Sequence, residues 1–356
     1  MMRVYNFSPG PATLPEEVLK VTQKDLLNYN NCGFSVMEMS HRSKPYKEIN
    51  QRAQDLLREL MNIPENYEVI FVQGGATTQF DAVPLNLSVK KRADYVITGN
   101  FAKKAYKEAC KYGDIAIAAS SEDKNFTYIP KNIVFRDEID YVHITTNNTI
   151  FGTRYTSLPK ANAPIVADMS SNILSEKIDV NEFGVIYAGA QKNLGPAGVT
   201  VVIVRNDLVD KTHELCPTML KWSTHIKDQS LYNTPPCWSV YVMMLVLEWL
   251  KNLGGLDYIQ KINEEKAQIL YDFIDNSDFY VNNVQKEDRS IMNVPFKTPS
   301  SELDEKFIAE AEQNGLKQLK GHRLVGGMRA SIYNAMPIEG VKKLVEFMKK
   351  FELENK

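Results

Sequence analysis

Cysteine is scarce in this chain of 356 residues, and its spacing excludes the usual cysteine chemistry. The four cysteines, Cys32, Cys110, Cys216 and Cys237, form no C-x-x-C pair, which argues against a zinc ribbon or a dithiol redox motif. The first ten residues also lack the apolar core of a signal peptide. We therefore expect a reducing, cytoplasmic setting and a site without a metal ion.

Excess charge and long hydrophobic runs are missing as well. Lys and Arg total 42 against 44 Asp and Glu, so the composition provides no basic surface for nucleic acid or for an anionic membrane. The most apolar stretch, Val240 to Leu247, is far shorter than the roughly 20 residues of a membrane span, and it predicts a buried helix. We expect a soluble globular protein with small-molecule ligands, in which any anion site is local.

Short β-rich runs alternate with longer amphipathic segments, the pattern of an α/β fold. Near-continuous apolar strands favour a mostly parallel mixed sheet covered by helices on both faces. The predicted strands are residues 69–72, 95–98, 141–144, 165–167, 185–188 and 199–204. Thr13-Leu14-Pro15-Glu16 resembles a capping box and predicts a helix that ends before Gly33.

A domain boundary is predicted near the Gly254-Gly255 pair, after which a new helix and strand pattern begins. This gives a large domain over residues 15–256 and a smaller C-terminal α/β domain over residues 257–356, with residues 1–14 packing against the smaller one. After Pro337 the spacing predicts a last helix with one apolar face, formed by Val341, Leu344, Val345, Met348 and Phe351.

The loop Gln73-Gly74-Gly75-Ala76-Thr77-Thr78-Gln79 lies between a predicted strand and a predicted helix. Small residues there let backbone N–H groups approach a phosphate at a helix N-terminus, and threonine hydroxyls add further donors. The loop matches neither the dinucleotide fingerprint nor the P-loop. Considered alone, it is explained equally well as an ordinary tight turn.

Two predicted strands end in residues that could share one ligand. Asp168 ends the run Pro164-Ile165-Val166-Ala167, and Lys192 follows the next strand in Gly189-Ala190-Gln191-Lys192. Carboxyl ends of parallel strands line the ligand crevice of an open sheet. A lysine amine, a carboxylate and a phosphate cup are what pyridoxal phosphate requires. The alternative is a helix-capping aspartate and a surface lysine.

Arginine and histidine occur together in two places, as His41-Arg42 and as His322-Arg323. Guanidinium groups bind carboxylate and phosphate bidentately, so these pairs favour a substrate with several negative charges. Structural ion pairs are the alternative for each of them. Arg329 differs because it begins a strand-like run, where an inward-facing arginine is costly without an anion.

These features together resemble the class V pyridoxal-phosphate transaminases of fold type I, over nearly the whole chain. The motifs that carry the resemblance are Asn6 to Ala12, Val36 to Arg42, Asp168 to Ser171, Tyr187 to Gly198, Asn233 to Pro236 and Gly321 to Pro337. Within that family the chain is similar to the members that act on phosphoserine. The resemblance implies amino transfer from glutamate to 3-phosphohydroxypyruvate, giving phosphoserine and 2-oxoglutarate in serine biosynthesis.

The resemblance also implies roles for particular residues. Lys192 would be the Schiff-base lysine and proton shuttle, Asp168 the partner of the pyridinium nitrogen, and Arg329 the clamp of the substrate α-carboxylate. The phosphate or distal carboxylate of the substrate would bind His41, Arg42, His322 and Arg323. The remaining cofactor contacts would be Ala76, Thr77, Phe101, Thr149, Ser170 and Gln191, together with Asn233 and Thr234 from the neighbouring subunit of a homodimer.

Two departures from the family pattern bear on specificity. Phe101 stands where many relatives place tryptophan, and Thr77 stands where some carry an arginine. Phosphate recognition is therefore expected to depend more on Arg42 and Arg323. The alternatives are another class V transaminase, of the alanine or serine:glyoxylate type, and a cofactor-binding protein without catalysis. Some relatives also accept phosphohydroxythreonine in vitamin B6 synthesis.

Overall fold

The computed structural model describes residues 3–356, so Met1 and Met2 of the predicted segment 1–14 lie outside the described residues. The helices are α1 (Glu16–Asp25), α2 (Lys44–Met61), α3 (Gly75–Asn86), α4 (Asn100–Ala109), α5 (Trp222–Lys227), α6 (Cys237–Asn252), α7 (Gly255–Asp275), α8 (Ser301–Gln313) and α9 (Ile338–Asn355). The strands are β1 (Tyr5–Asn6), β2 (Tyr67–Val72), β3 (Arg92–Ile97), β4 (Asp114–Ser120), β5 (Tyr141–Thr145), β6 (Ile165–Asp168), β7 (Val185–Gly189), β8 (Thr200–Arg205), β9 (Asn293–Phe296), β10 (Leu316–Lys317) and β11 (Met328–Ser331).

A seven-stranded sheet in the order β2-β8-β7-β6-β5-β3-β4 forms the centre of the molecule. Strand β8 is antiparallel to both of its neighbours, and the remaining pairs are parallel. The predicted α/β class and mixed sheet are therefore confirmed, as are the predicted strands. The sequence missed β4, an edge strand whose residues are half-buried or exposed, because such a strand carries little apolar signal.

The sheet is buried on both faces, which explains its near-continuous apolar strands. Along β2, Val69 and Phe71 pack into one core with α2 and α6, whereas Ile70 and Val72 pack into a second core with α3 and α4. This alternation is the period of two that a β-strand imposes on its side chains. Both layers of helices are thereby held against one sheet, whose carboxyl edge stays open to a ligand.

A third core lies in the C-terminal part of the chain, where β9 and β11 form an antiparallel pair. Phe7 is fully buried in this core, and β1 pairs with β10, so the N-terminal strand lies with the C-terminal elements. Helix α7 contributes Leu256 to the first core and Leu270 to the third. The boundary predicted at residues 256/257 falls in the first turn of this continuous helix and stays a prediction.

The ends of the chain test two local predictions. The expected capping box is wrong, since α1 begins after Pro15 and has no side-chain cap. Thr13 instead accepts a hydrogen bond from Arg3 (3.4 Å). The apolar face of α9 is confirmed, because its five predicted residues are all buried. No helix within residues 3–356 is long and apolar enough to cross a membrane.

A buried lysine fixes the turn that follows β11. Lys266 of α7 is fully buried, and its Nζ donates to the carbonyl oxygens of Ile332 (2.9 Å), Tyr333 (2.8 Å) and Met336 (3.0 Å). Burial lowers the pKa of Lys266 to about 7, whereas three acceptors demand three N–H groups and so favour the ammonium form. The turn is thereby tied to α7 directly after the strand that carries Arg329.

Candidate active site

The candidate site is a cavity of ≈ 260 Å³ where the carboxyl ends of β5, β6 and β7 meet the N-terminus of α3 and the strand β11. In an open α/β sheet this edge is where ligands bind. Ten of the residues that the sequence singled out line it: Ala76, Thr77, Phe101, Thr149, Asp168, Ser170, Gln191, Lys192, His322 and Arg329. The structure therefore brings a lysine, a carboxylate and a buried guanidinium into one small space.

Lys192 follows β7 and points its amine into the cavity. Its Nζ donates to Thr149 Oγ1 at 2.7 Å and lies 5.8 Å from the centroid of the Phe101 ring. Burial and the charge of Arg329 lower the pKa of Lys192 to about 8, although the charge of Asp168 opposes them. A neutral, nucleophilic amine is thus accessible near neutral pH.

Asp168 is the last residue of β6, with 5% of its surface exposed. Its Oδ1 accepts a hydrogen bond from the Ser170 backbone N–H at 2.9 Å. Burial raises the pKa of Asp168, while the hydrogen bonds from Ser170 and the charge of Lys192 act in the opposite direction. A buried carboxylate of this kind is stabilised by a cationic ligand group placed against it.

The side chains beside Asp168 in the sheet carry no charge. Tyr187 is its registered neighbour on β7, and the Tyr187 hydroxyl lies 2.8 Å from His143 Nε2. Burial lowers the pKa of His143 to about 3, so the ring is neutral at physiological pH. The negative charge of Asp168 is therefore not neutralised from within the sheet and can act on the cavity.

The N-terminus of α3 provides the donors for an anion. Gly74 has φ +96°, and a Cβ there would lie 2.0 Å from Thr78 Oγ1, so glycine is required at this turn. The turn presents the first residues of α3, Gly75, Ala76 and Thr77, to the cavity, where their backbone N–H groups have no intrahelical acceptor. A phosphate is the ligand group that such a helix end binds best.

Arg329 occupies the opposite wall on β11, with 5% of its surface exposed. Its Nη1 donates to the Thr149 carbonyl at 3.1 Å, while its buried Nε has no hydrogen-bond partner among residues 3–356. Nearby, burial and the charges of Arg329, Arg323 and Lys104 lower the pKa of His322. An unpartnered guanidinium edge in this positive surrounding is arranged to receive a carboxylate.

Five predicted residues do not line this cavity in the single chain: His41, Arg42, Arg323, Asn233 and Thr234. Arg42, Arg323 and Thr234 are exposed, and the Thr234 carbonyl accepts a hydrogen bond from Gln73 Nε2 at 2.9 Å, beside the α3 loop. Arg323 belongs to the same motif as the cavity residues His322 and Arg329, whereas the motifs that contain His41, Arg42, Asn233 and Thr234 contribute no residue to the cavity. The distance of these five residues from the cavity depends on tertiary structure, which the spacing of motifs along the sequence does not predict.

Sequence reasoning assigned no role to several other residues that line the cavity: Pro9, Gly10, Phe80, Thr145, Asn147, Ile150 and Ser171. Gly75 also lines it, as a member of the predicted phosphate loop. Pro9 and Gly10 come from the N-terminal segment, and a Cβ on Gly10 would lie 3.4 Å from Lys192 Cγ. The N-terminal motif was part of the family resemblance, but nothing in its pattern indicates contact with Lys192.

Comparison with known proteins agrees with this geometry. Residues 4–344 match the class-V aminotransferase family, and the chain belongs to that family. It is 56% identical to a phosphoserine aminotransferase of Bacillus cereus over 360 residues, covering 100% of both chains. The solved phosphoserine aminotransferase from Bacillus circulans subsp. alkalophilus superposes with a TM-score of 0.97 at 47% identity, covering 99% of each chain. The PLP-bound phosphoserine aminotransferase from Trichomonas vaginalis gives a TM-score of 0.94 at 37% identity, over 98% of this chain and 100% of that one.

The lowered pKa of Lys192 predicts unusual reactivity in the apoenzyme. Only the neutral amine reacts with an acylating reagent, so labelling of Lys192 should rise with pH through a midpoint near pH 8, well below the ordinary lysine value of about 10.4. The measurement is trace acetylation across a pH series, followed by peptide mass spectrometry. The exposed Lys342 and Lys343 on α9 are internal references; a Lys192 profile that coincides with theirs would contradict the prediction.

Proposed function

We propose that this chain is a pyridoxal-phosphate-dependent phosphoserine aminotransferase. It transfers the amino group of glutamate to 3-phosphohydroxypyruvate and yields phosphoserine and 2-oxoglutarate. The observation that carries the proposal is the cavity in which Lys192 and Asp168 lie together with Arg329, whose buried Nε has no partner. The sequence identity of 56% to the phosphoserine aminotransferase of Bacillus cereus, over the full length of both chains, supports the choice of substrate.

The residues of the cavity fit the cofactor group by group. The free N–H groups at the start of α3, with Thr77, Ser170 and Gln191, would hold its phosphate. Asp168, which is buried, would pair with the ring nitrogen, and Phe101 would lie against the ring. When bound, pyridoxal phosphate supplies an electron sink for the bond broken at the substrate Cα.

Lys192 moves the proton in this proposal. Its amine, with a pKa lowered to about 8, can take a proton from the substrate Cα and release it again at neutral pH. The Thr149 hydroxyl, 2.7 Å from Nζ, orients the amine within the cavity. The N-terminus of α3, which would bind the phosphate, and Arg329, which would bind the carboxylate, line the same cavity as Lys192.

Arg329 binds the α-carboxylate, the group that amino donor and keto acceptor have in common. Nη1 is held by the Thr149 carbonyl, which orients the guanidinium and leaves Nε for the substrate. His322 lies in the same cavity and would contact the second anionic group, the phosphate of phosphoserine or the distal carboxylate of glutamate. One pocket that accepts either group is what alternating substrates require.

The same proposal makes the protein a homodimer with shared sites. His41, Arg42, Asn233 and Thr234 lie outside the cavity of their own chain, so a second copy would bring them to it. We further propose a cytoplasmic location, which the four free cysteines support. The division into a large domain of residues 15–256 and a small domain of residues 257–356, with 1–14 packed on the latter, belongs to this proposal too.

The substrate assignment predicts which amino acids react with the holoenzyme. Phosphoserine and glutamate should each change the visible absorbance of the bound cofactor, because both carry an α-carboxylate and a second anionic group. Serine and alanine lack the second group and should react at least about 100-fold more slowly, the scale of a lost charged contact. Stopped-flow mixing with each amino acid separately measures this. Faster reaction with serine or alanine than with phosphoserine would instead favour the glyoxylate-type transaminases.

Substitution of Arg329 tests the carboxylate clamp. Arg329→Gln should raise KM for phosphoserine and for 2-oxoglutarate alike, by about 30-fold or more, because both lose a charge-assisted bidentate contact. Steady-state kinetics with each substrate varied in turn give the two values. Arg205→Gln is the matched control, since Arg205 pairs with Asp207 at the opposite end of the sheet. An effect on only one substrate would disprove the clamp.

Shared sites can be tested by complementation. Neither Lys192→Ala nor Arg42→Ala alone should support much turnover. Co-expressed, however, they should restore about a quarter of wild-type activity, because half of the dimers are mixed and each mixed dimer holds one intact site. Activity of the unselected mixture, purified through one tag that both variants carry, is the measurement. If Arg42 contributed to the site of its own chain, each site of a mixed dimer would lack either Lys192 or Arg42. The mixture would then show no restored activity.

A further inference from the structure

A chain of buried amides and hydroxyls crosses from the large sheet to the β9/β11 pair beside the cavity. Asn147 Nδ2 donates to Ser171 Oγ (2.8 Å) and to Asn293 Oδ1 (2.9 Å). Asn293 Nδ2 in turn donates to Ser331 Oγ (3.0 Å) and to the Tyr333 hydroxyl (3.2 Å). Asn293 is 0% exposed and lies at the centre of this chain of hydrogen bonds.

One end of the network lies on the strand that carries Arg329. In the antiparallel β9/β11 pair Asn293 is opposite Ser331, and Pro295 is opposite Arg329. Residues two apart on a strand point to the same face, so Ser331 and Arg329 both face the large sheet. The hydrogen bond from Asn293 to Ser331 therefore acts on the side of β11 from which the guanidinium enters the cavity.

The other end lies on the large-domain wall of the cavity. Asn147 and Ser171 both line the cavity, with Asn147 two residues before Thr149 and Ser171 three residues after Asp168. Asn147 Oδ1 is also occupied, since it accepts a hydrogen bond from Ser290 Oγ at 2.6 Å. The network thus joins the wall that presents Asp168 and Thr149 to the strand that presents Arg329.

We propose that Asn293 is a positioning residue for the reaction, which sets the place of the Arg329 guanidinium relative to Lys192 and Asp168. Asn293 does not line the cavity itself and acts through Asn147 and Ser331. Hydrogen bonds are directional, so the Asn293 amide fixes the position of β11 relative to the large-sheet side of the cavity. An apolar contact would not restrict this position as closely. Binding groups must be held to within about 0.5 Å to be effective. The inference rests on the proposed function, because that function gives Arg329 its ligand.

The kinetic test is Asn293→Ala in the holoenzyme. We expect KM for phosphoserine and for 2-oxoglutarate to rise together by about 10-fold, with kcat changed by less than about 3-fold, because a misplaced clamp weakens binding of the α-carboxylate. Asn86→Ala is the matched control. Asn86 is also buried and makes three hydrogen bonds, with Ala82, Leu220 and Trp222, at the far end of α3. The Asn86→Ala substitution should lower the stability of the protein and leave both KM values unchanged.

A second measurement needs neither substrate nor cofactor. The charge of Arg329 helps to lower the pKa of Lys192, so displacement of the guanidinium should move the acetylation midpoint of Lys192 upward in the apoenzyme. Asn293→Ala should shift it toward the profile of Arg329→Gln, and Asn86→Ala should not. If Asn293→Ala does not fold, Ser331→Ala removes one acceptor of the same amide and should shift both readouts in the same direction by less.

The outcomes separate the two proposals. Unchanged KM values and an unchanged Lys192 profile in a folded Asn293→Ala protein would overturn the positioning role, whatever the loss of stability. A wild-type protein that fails to react with phosphoserine would overturn the proposed substrate. In that case the Lys192 profile alone still decides whether Asn293 places the guanidinium.

Discussion

The burial of charge at the carboxyl edge of the sheet is the constraint on which the site depends. Arg329, Asp168 and Lys192 share a cavity of ≈ 260 Å³, where burial disfavours the charged form of each side chain. Charges removed from water are costly unless other groups compensate them. Here the compensation is incomplete among residues 3–356: Arg329 keeps an unpartnered Nε, and the hydrogen bonds to the Asp168 carboxylate come only from Ser170. The remaining compensation is left for ligands of opposite charge, which makes the site both selective and reactive.

Several elements that are distant in sequence must be held together for this arrangement to exist. The sheet provides Asp168 and Lys192 from adjacent strands, and the antiparallel β9/β11 pair brings Arg329 from the other side. The N-terminal segment closes the space between them, since the Pro9 carbonyl accepts a hydrogen bond from the Tyr333 hydroxyl at 2.8 Å. Buried amides, not apolar contacts alone, join the parts, and such satisfied polar networks favour a single geometry.

Sequence reasoning was most successful where one strong local signal decided the outcome. Short continuous apolar runs rich in β-branched residues identified the strands buried on both faces, because run length and composition together distinguish such strands from a buried helix such as α6. It failed where the signal was weak or ambiguous. The edge strand β4, which is mostly half-buried, was missed, and the Thr13 capping box was wrong because Pro15, and not Thr13, precedes the helix. The cavity roles of Pro9 and Gly10 were missed because they arise from contacts with residues far away in the chain.

The sequence by itself determined the α/β class, the central strands and the residue types of a pyridoxal-phosphate site, since these follow from local patterning and from motifs that resemble a known family. Only the tertiary structure decided which of the candidate anion-binding residues meet. Arg329 and His322 enter the cavity of their own chain, whereas Arg42, Arg323 and Thr234 remain outside it. It also showed that Arg329 is buried with an unpartnered Nε and that Asn293 connects its strand to the opposite wall. The reason is physical: burial and hydrogen-bond geometry depend on long-range packing, which adjacent residues along the chain do not specify.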